Sequence, residues 1–152
     1  MRRILLDLGI KVEEVSLDTD SVRGVAIAGP GFSPAILVNT NSVFNQTPVG
    51  RKFTLAHEFC HILFDRTRAK KLSHVSGPRT APRTEKRANA FAAMFLASRA
   101  ATRAVFGEYG IERTKEGARA LELGHSAFVE QLYNLGLIDE AVREQLRLRA
   151  DA

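Results

Sequence analysis

Apolar residues follow three spacings along this chain, and each spacing predicts a different kind of element. Short runs rich in Val, Ile and Ala, at Val22 to Ala28 and Ala35 to Asn39, flank Gly29-Pro30-Gly31-Phe32-Ser33-Pro34. They predict two strands about a turn. Val12 to Leu17 alternates only weakly, residues 2–8 predict a short helix, and Asn39 to Pro48 is polar and loop-like. From Arg51 to Asp65 the pattern becomes helical, with Phe53, Leu55, Ala56, Phe59, Cys60, Ile62, Leu63 and Phe64 apolar nearly all round. A helix apolar on every side is a buried one. A second strong helix is expected from Thr84, as N-cap, to Ala97, where Ala88, Phe91, Ala92, Phe95 and Leu96 recur on one face. Four further helices follow, at Arg99–Phe106, Thr114–Leu123, Ser126–Leu135 and Asp139–Arg149. Gly124 and Gly136 break them, and Ser126 and Asp139 are the expected N-caps.

The buried helix carries polar residues that its pattern does not explain. His57-Glu58-Phe59-Cys60-His61 puts two imidazoles and a carboxylate on one turn. Residues four apart on a helix lie about 40° apart around the axis and roughly 6 Å apart along it, so both rings can reach one ion. Burying these groups costs desolvation unless they have strong partners, and a metal is the natural one. Zinc accepts neutral imidazole nitrogens, and an adjacent Glu58 can then take a proton from an activated water. A catalytic zinc takes three protein ligands as a rule. The other histidines, His74 and His125, form no extended signature with the first pair. Glu85 is the better third candidate, at the edge of the buried face of its helix. Its alternative reading is a first-turn acid favoured by the helix dipole.

Composition narrows the setting. The chain has 152 residues, 45% hydrophobic and 26% charged, enough for one domain with a real core. Cys60 is the lone cysteine, so no intramolecular disulfide is available, which fits a reducing interior. Met1 to Leu6 resembles the start of a signal peptide, but Asp7, Lys11, Glu13 and Glu14 break any apolar core, and no run approaches membrane-spanning length. A cytoplasmic protein is expected. The net charge of +5 has a local origin: Arg66 to Arg83 holds six Lys or Arg residues and no acid. That segment reads either as a solvated loop or as a substrate-facing surface. Arg143, Arg147 and Arg149 are diluted by Glu140, Glu144 and Asp151, and Thr114–Leu135 mixes both signs, which argues against direct nucleic-acid binding.

Two spaced motifs together give a more specific signal. Arg51-Lys52-Phe53-Thr54-Leu55-Ala56-His57-Glu58-Phe59-Cys60-His61-Ile62-Leu63-Phe64 resembles the core of ImmA/IrrE-type metallopeptidases. In those proteins a second segment, E-x-x-A-N-x-F-A-A, follows. Here Glu85-Lys86-Arg87-Ala88-Asn89-Ala90-Phe91-Ala92-Ala93 begins 24 residues after His61. The resemblance is dense from Ala35 to Leu96 and weaker in the closing helices. It departs at Leu96-Ala97-Ser98-Arg99, where the family commonly has Leu-Met-Pro.

The resemblance implies an α+β fold, a small antiparallel or mixed sheet packed on helices. Residues 1–110 would form a zincin-like core and residues 111–152 a helical segment packed on it, one domain overall. It implies a gluzincin-type zinc endopeptidase of bacterial or phage origin. His57, His61 and Glu85 would hold Zn2+ and Glu58 would be the general base in metal-activated water attack on a peptide bond. The implied substrate is a specific protein, such as a helix-turn-helix repressor in a stress response or mobile element. The alternative is a non-catalytic regulatory protein that keeps the fold and acts by stoichiometric contact, a reading that the presence of Glu58 disfavours.

Several supporting roles remain open at this level. Asp65, one turn beyond His61, could orient that ring, and Asn89 could steady Glu85. Cys60 is expected to be a small buried hydrophobe. A substrate strand could pair with an exposed edge at Ala35–Asn39. The oxyanion donor is not identified: Tyr109, Tyr133, His74, His125 and the arginines are all candidates.

Overall fold

A computed structural model of the chain describes residues 1–66, 72–75 and 81–148. The chain forms two compact units, Met1–Ala92 and Ala93–Ala152.

The first unit opens with α1 (Arg2–Asp7) and β1 (Lys11–Val15). The antiparallel strands β2 (Gly24–Gly29) and β3 (Phe32–Asn39) follow. They join through Pro30 and Gly31, where Gly31 has φ 77°, a conformation that glycine adopts without the clash a Cβ would bring. β1 lies parallel to β3, in register from Lys11 against Ala35 to Val15 against Asn39. A fourth strand, β4 (Leu72–Val75), pairs antiparallel with β2, giving a mixed sheet of order β1-β3-β2-β4. The sheet is therefore α+β in class, as expected, but β3 is internal. Ala35–Asn39 is paired on both sides, antiparallel to β2 and parallel to β1, and offers no free edge. β4 was not anticipated either, since its four residues sit inside a basic, Gly- and Pro-containing stretch. The other expectations for Arg66 to Arg83 fall mostly on residues 67–71 and 76–80, outside the described residues.

One face of the sheet carries Val12, Ala26, Ala28, Ile36 and Val38, which alternate along their strands as the two-residue repeat requires. Against it lies α2 (Pro48–Phe64), bringing Leu55, Phe59 and Ile62. The helix starts earlier than its apolar pattern suggests, because Thr47 caps it by accepting from Gly50 N at 3.0 Å and Pro48 supplies a preset φ at the first position. A 3-10 turn at Val43–Asn45 packs on that first turn. A Cβ at Gly50 would strike the Phe44 carbonyl oxygen.

α3 (Pro82–Leu96) follows. Thr84 is inside it rather than its cap: the N–H groups of Thr84 and Glu85 both donate to Ala81 O, and Pro82 takes the first helical position. Phe91 packs edge-on against Phe59 and Phe64.

The second unit is helical: α4 (Arg99–Tyr109), α5 (Thr114–Ala120), α6 (His125–Asn134) and α7 (Glu140–Leu148). Ser98 caps α4 through Ala101 N, which gives the departure at Leu96-Ala97-Ser98-Arg99 a local role. Asp139 caps α7 through Val142 N, as expected. Ser126 does not cap α6; Gly124 holds that position. α5 stops short of Leu123 because Glu122 adopts φ 51° and turns the chain. Phe128, Val129 and Leu132 are fully buried, and the Phe128 ring lies against Gly117.

Candidate metal centre

The helical spacing predicted for His57 and His61 places their Nε2 atoms 3.2 Å apart. Glu85, in the first turn of α3, brings Oε2 within 3.2 Å of His57 Nε2 and Oε1 within 3.9 Å of His61 Nε2. All three ligand atoms lie within 4.8 Å of one another. Both histidines are buried and Glu85 is partly so.

The far side of each ring is fixed. His57 Nδ1 meets Asn89 Oδ1 at 2.9 Å, and His61 Nδ1 meets Asp65 Oδ2 at 2.8 Å. Both partners are acceptors, so each Nδ1 carries the ring's proton and each Nε2 presents a lone pair. The two Nε2 atoms and the Glu85 carboxylate then converge on one point. A divalent cation fits this set: the edge of a tetrahedron of ligands around zinc is roughly 3.3 Å, close to the two short separations here. Among the described residues no other group of three such side chains converges in this way.

Asp65 therefore orients His61, the role expected of it. Asn89 steadies His57 rather than Glu85, its Oδ1 lying 2.9 Å from His57 Nδ1. Arg87 Nη2 reaches Asp65 Oδ2 at 2.5 Å. Burial raises the Asp65 pKa, but hydrogen bonds from His61 and Arg87 and the Arg87 charge outweigh it, leaving the carboxyl below its ordinary value. Cys60 is fully buried, and burial pushes its thiol up despite the nearby Arg87, in keeping with a small core residue.

Glu58 is completely buried and lies against Gly24 at the start of β2. A Cβ at Gly24 would come within 2.9 Å of Glu58 Cγ and Oε1 and 3.0 Å of the Leu37 carbonyl oxygen. Glycine here makes room for a carboxylate, the close approach that an interior glycine at a strand signals. Sequence reasoning overlooked Gly24, although that signal was present; Arg87 left no comparable trace.

A model of the IrrE N-terminal-like domain, the peptidase M78 family, matches residues 6–133. The chain belongs to that family. The match covers the His57, Glu58, His61 and Glu85 positions and gives the chain a metallopeptidase-type lineage. No curated protein and no solved structure gives a significant match.

Of the oxyanion candidates, Tyr109, Tyr133 and His125 belong to the second unit. There Arg113 stacks over Tyr109 and Arg143 over Tyr133, while His125 Nε2 lies 3.0 Å from Thr114 Oγ1. His74 pairs opposite Ala26 in β4, and its side chain is outside the described residues. Among the described residues no helix is long and apolar enough to cross a membrane.

Proposed function

We propose that this protein is a zinc-dependent endopeptidase whose substrate is one specific protein partner, a helix-turn-helix transcriptional repressor in a bacterial cytoplasm. The observation that carries the enzymatic part is the convergence of ligand atoms from His57, His61 and Glu85 within 4.8 Å of one another, with Glu58 buried on the same helix one residue from His57. The choice of substrate is supported by the resemblance to ImmA/IrrE-type peptidases.

When bound, zinc would supply a Lewis acid that makes water acidic enough to attack near neutral pH and that polarises a carbonyl. His57, His61 and Glu85 would hold it, and Asn89 and Asp65 keep the two rings turned the right way. Glu58 accepts the proton of the attacking water at a carboxylate oxygen and delivers it to the leaving amine nitrogen. Gly24 leaves Glu58 the room to hold that place.

Elemental analysis of wild type and Glu85→Ala, purified side by side without added metal, tests the reading. The expected result is about one zinc per wild-type chain, in line with a three-ligand site, and a sharply lower content in the variant. Wild type that is metal-free and refuses added zinc would sink it. Glu58→Gln separates an enzyme from a stoichiometric binder: loss of repressor cleavage with zinc retained marks the enzyme, and unchanged function marks the binder.

A further inference from the structure

The segment between β1 and β2 has no regular structure, yet two asparagines pin it closely. Asn39, completely buried, accepts from the N–H groups of Leu17 and Asn41 and donates Nδ2 to the carbonyls of Thr19 at 2.6 Å and Val22 at 2.8 Å. Asn45, also buried, donates Nδ2 to Arg23 O at 2.7 Å and to Asn39 O at 2.8 Å. Its Oδ1 accepts from Thr54 Oγ1 of α2 at 2.6 Å. The Arg23 carbonyl takes a second bond, from Asn39 N at 3.0 Å. Asn45 thus ties the backbone of Arg23 to the helix that carries His57, Glu58 and His61. So many side-chain bonds to one irregular stretch hold its last residue in a fixed place, as loops do when they carry a functional group on a rigid frame.

That residue stands directly before Gly24, the position against which Glu58 packs. Its guanidinium lies over the Phe44 ring, 4.1 Å from the centroid. Stacking uses the flat face of a guanidinium and leaves its in-plane N–H donors available. Burial lowers the Arg23 pKa while the charges of Glu85 and Glu58 raise it, so the two carboxylates of the metal centre are the charges that act on this cation. An arginine, always protonated, keeps its donors at any working pH.

We propose that Arg23 donates to the substrate carbonyl oxygen that gains negative charge when the peptide bond is attacked, with its face resting on Phe44 and its N–H edge turned to that oxygen. The proposal rests on the endopeptidase reading above and supplies the donor that the sequence left unassigned.

Binding measurements on zinc-loaded protein test it without a known substrate. Two probes are titrated calorimetrically into wild type, Arg23→Met and Arg23→Lys. N-phosphoryl-leucyl-leucinamide carries a tetrahedral oxyanion as its sole anionic group; acetohydroxamate binds a metal without one. The expected result is a loss on the order of a hundredfold in phosphoryl-peptide affinity for Arg23→Met, with part of it restored in Arg23→Lys. Acetohydroxamate affinity should stay within about twofold, and zinc content should not change. Equal weakening of both probes, or loss of zinc, would assign Arg23 to upkeep of the metal site and overturn the proposal. Unchanged phosphoryl-peptide affinity would also overturn it while leaving the endopeptidase reading intact. Wild type that binds zinc but neither probe would defeat both. If Arg23→Met does not fold, Arg23→Lys and Phe44→Leu serve in its place, and a phosphoryl-peptide affinity equal to wild type in both would overturn the proposal.

Discussion

Gln131 in the second unit and His57 in the first are each 1% exposed, yet their surroundings differ in kind. Gln131 Nε2 donates to Ala97 O at 2.7 Å and Thr102 Oγ1 at 2.8 Å, and lies 3.5 Å from Met94 Sδ. Both of its amide protons have acceptors, while its buried Oε1 has no hydrogen-bond partner among the described residues, and the node fastens helices together. Around His57 the arrangement differs, because side chains from two helices bring metal-ligand atoms to one point. The Nδ1 atoms of His57 and His61 face acceptors on the outer side, and their Nε2 atoms face the Glu85 carboxylate. Burial of polar atoms alone does not mark a site. Convergence of three metal-ligand atoms does, because one cation would bind all three at once.

The largest test of that contrast is linkage to zinc. If the converging ligand atoms hold an ion, zinc at about a thousand times its Kd should stabilise wild type by about 4 kcal/mol. Glu85→Ala should abolish the effect in denaturant titrations with and without zinc. A wild-type curve that zinc does not move would show that these atoms hold no zinc.

Asp65→Ala comes next. It removes the acceptor that holds His61 Nδ1 and releases Arg87. Zinc affinity should fall by about one to two orders of magnitude, with Asp65→Asn between the variant and wild type. Competition with a chromogenic chelator reads this directly, and an unchanged affinity would reduce Asp65 to a helix terminus.

The same contrast explains how far the sequence could be read. His57, His61 and Asp65 share one helix, so their facing positions follow from the helical repeat alone. Glu85 could be matched to them only through the second motif, since no local rule brings α3 against α2. The internal position of β3 was not legible, because a parallel partner such as β1 is chosen by tertiary packing and Lys11 to Val15 alternates weakly. The caps failed where proline or glycine displaced the polar residue: Pro82 moved the start of α3 ahead of Thr84, and Gly124 that of α6 ahead of Ser126. Asn39 and Asn45 looked like loop composition. Their side chains in fact organise the segment that ends at Arg23, through contacts spanning 17 to 22 residues of chain.

Removing the fastening should leave the metal centre alone. Gln131→Ala strands the Ala97 carbonyl and the Thr102 hydroxyl without that donor, which costs about 2 kcal/mol in chemical denaturation. Zinc per chain should equal that of wild type. A joint loss of stability and zinc would show that the two polar cores are not energetically separate.

The smallest effect expected is acid sensitivity in the second unit. Burial is the main cause that lowers the His125 pKa below 6.5, and the Lys115 charge adds to it. The ring stands at the first position of α6, where the positive end of the helix also disfavours an imidazolium. The folded chain therefore keeps His125 neutral at pH values where the unfolded chain has begun to protonate it. Its contribution is fully present above about pH 6.5 and is lost as the pH falls through the lower, folded value. Replacing it with Gln removes this titration. Between pH 7.5 and 5.5 wild type should accordingly lose more stability than His125→Gln. The comparison is made in chelator, so that the titrations of His57 and His61 are common to both proteins and cancel in the difference. Equal losses in the two proteins would mean that His125 titrates alike folded and unfolded.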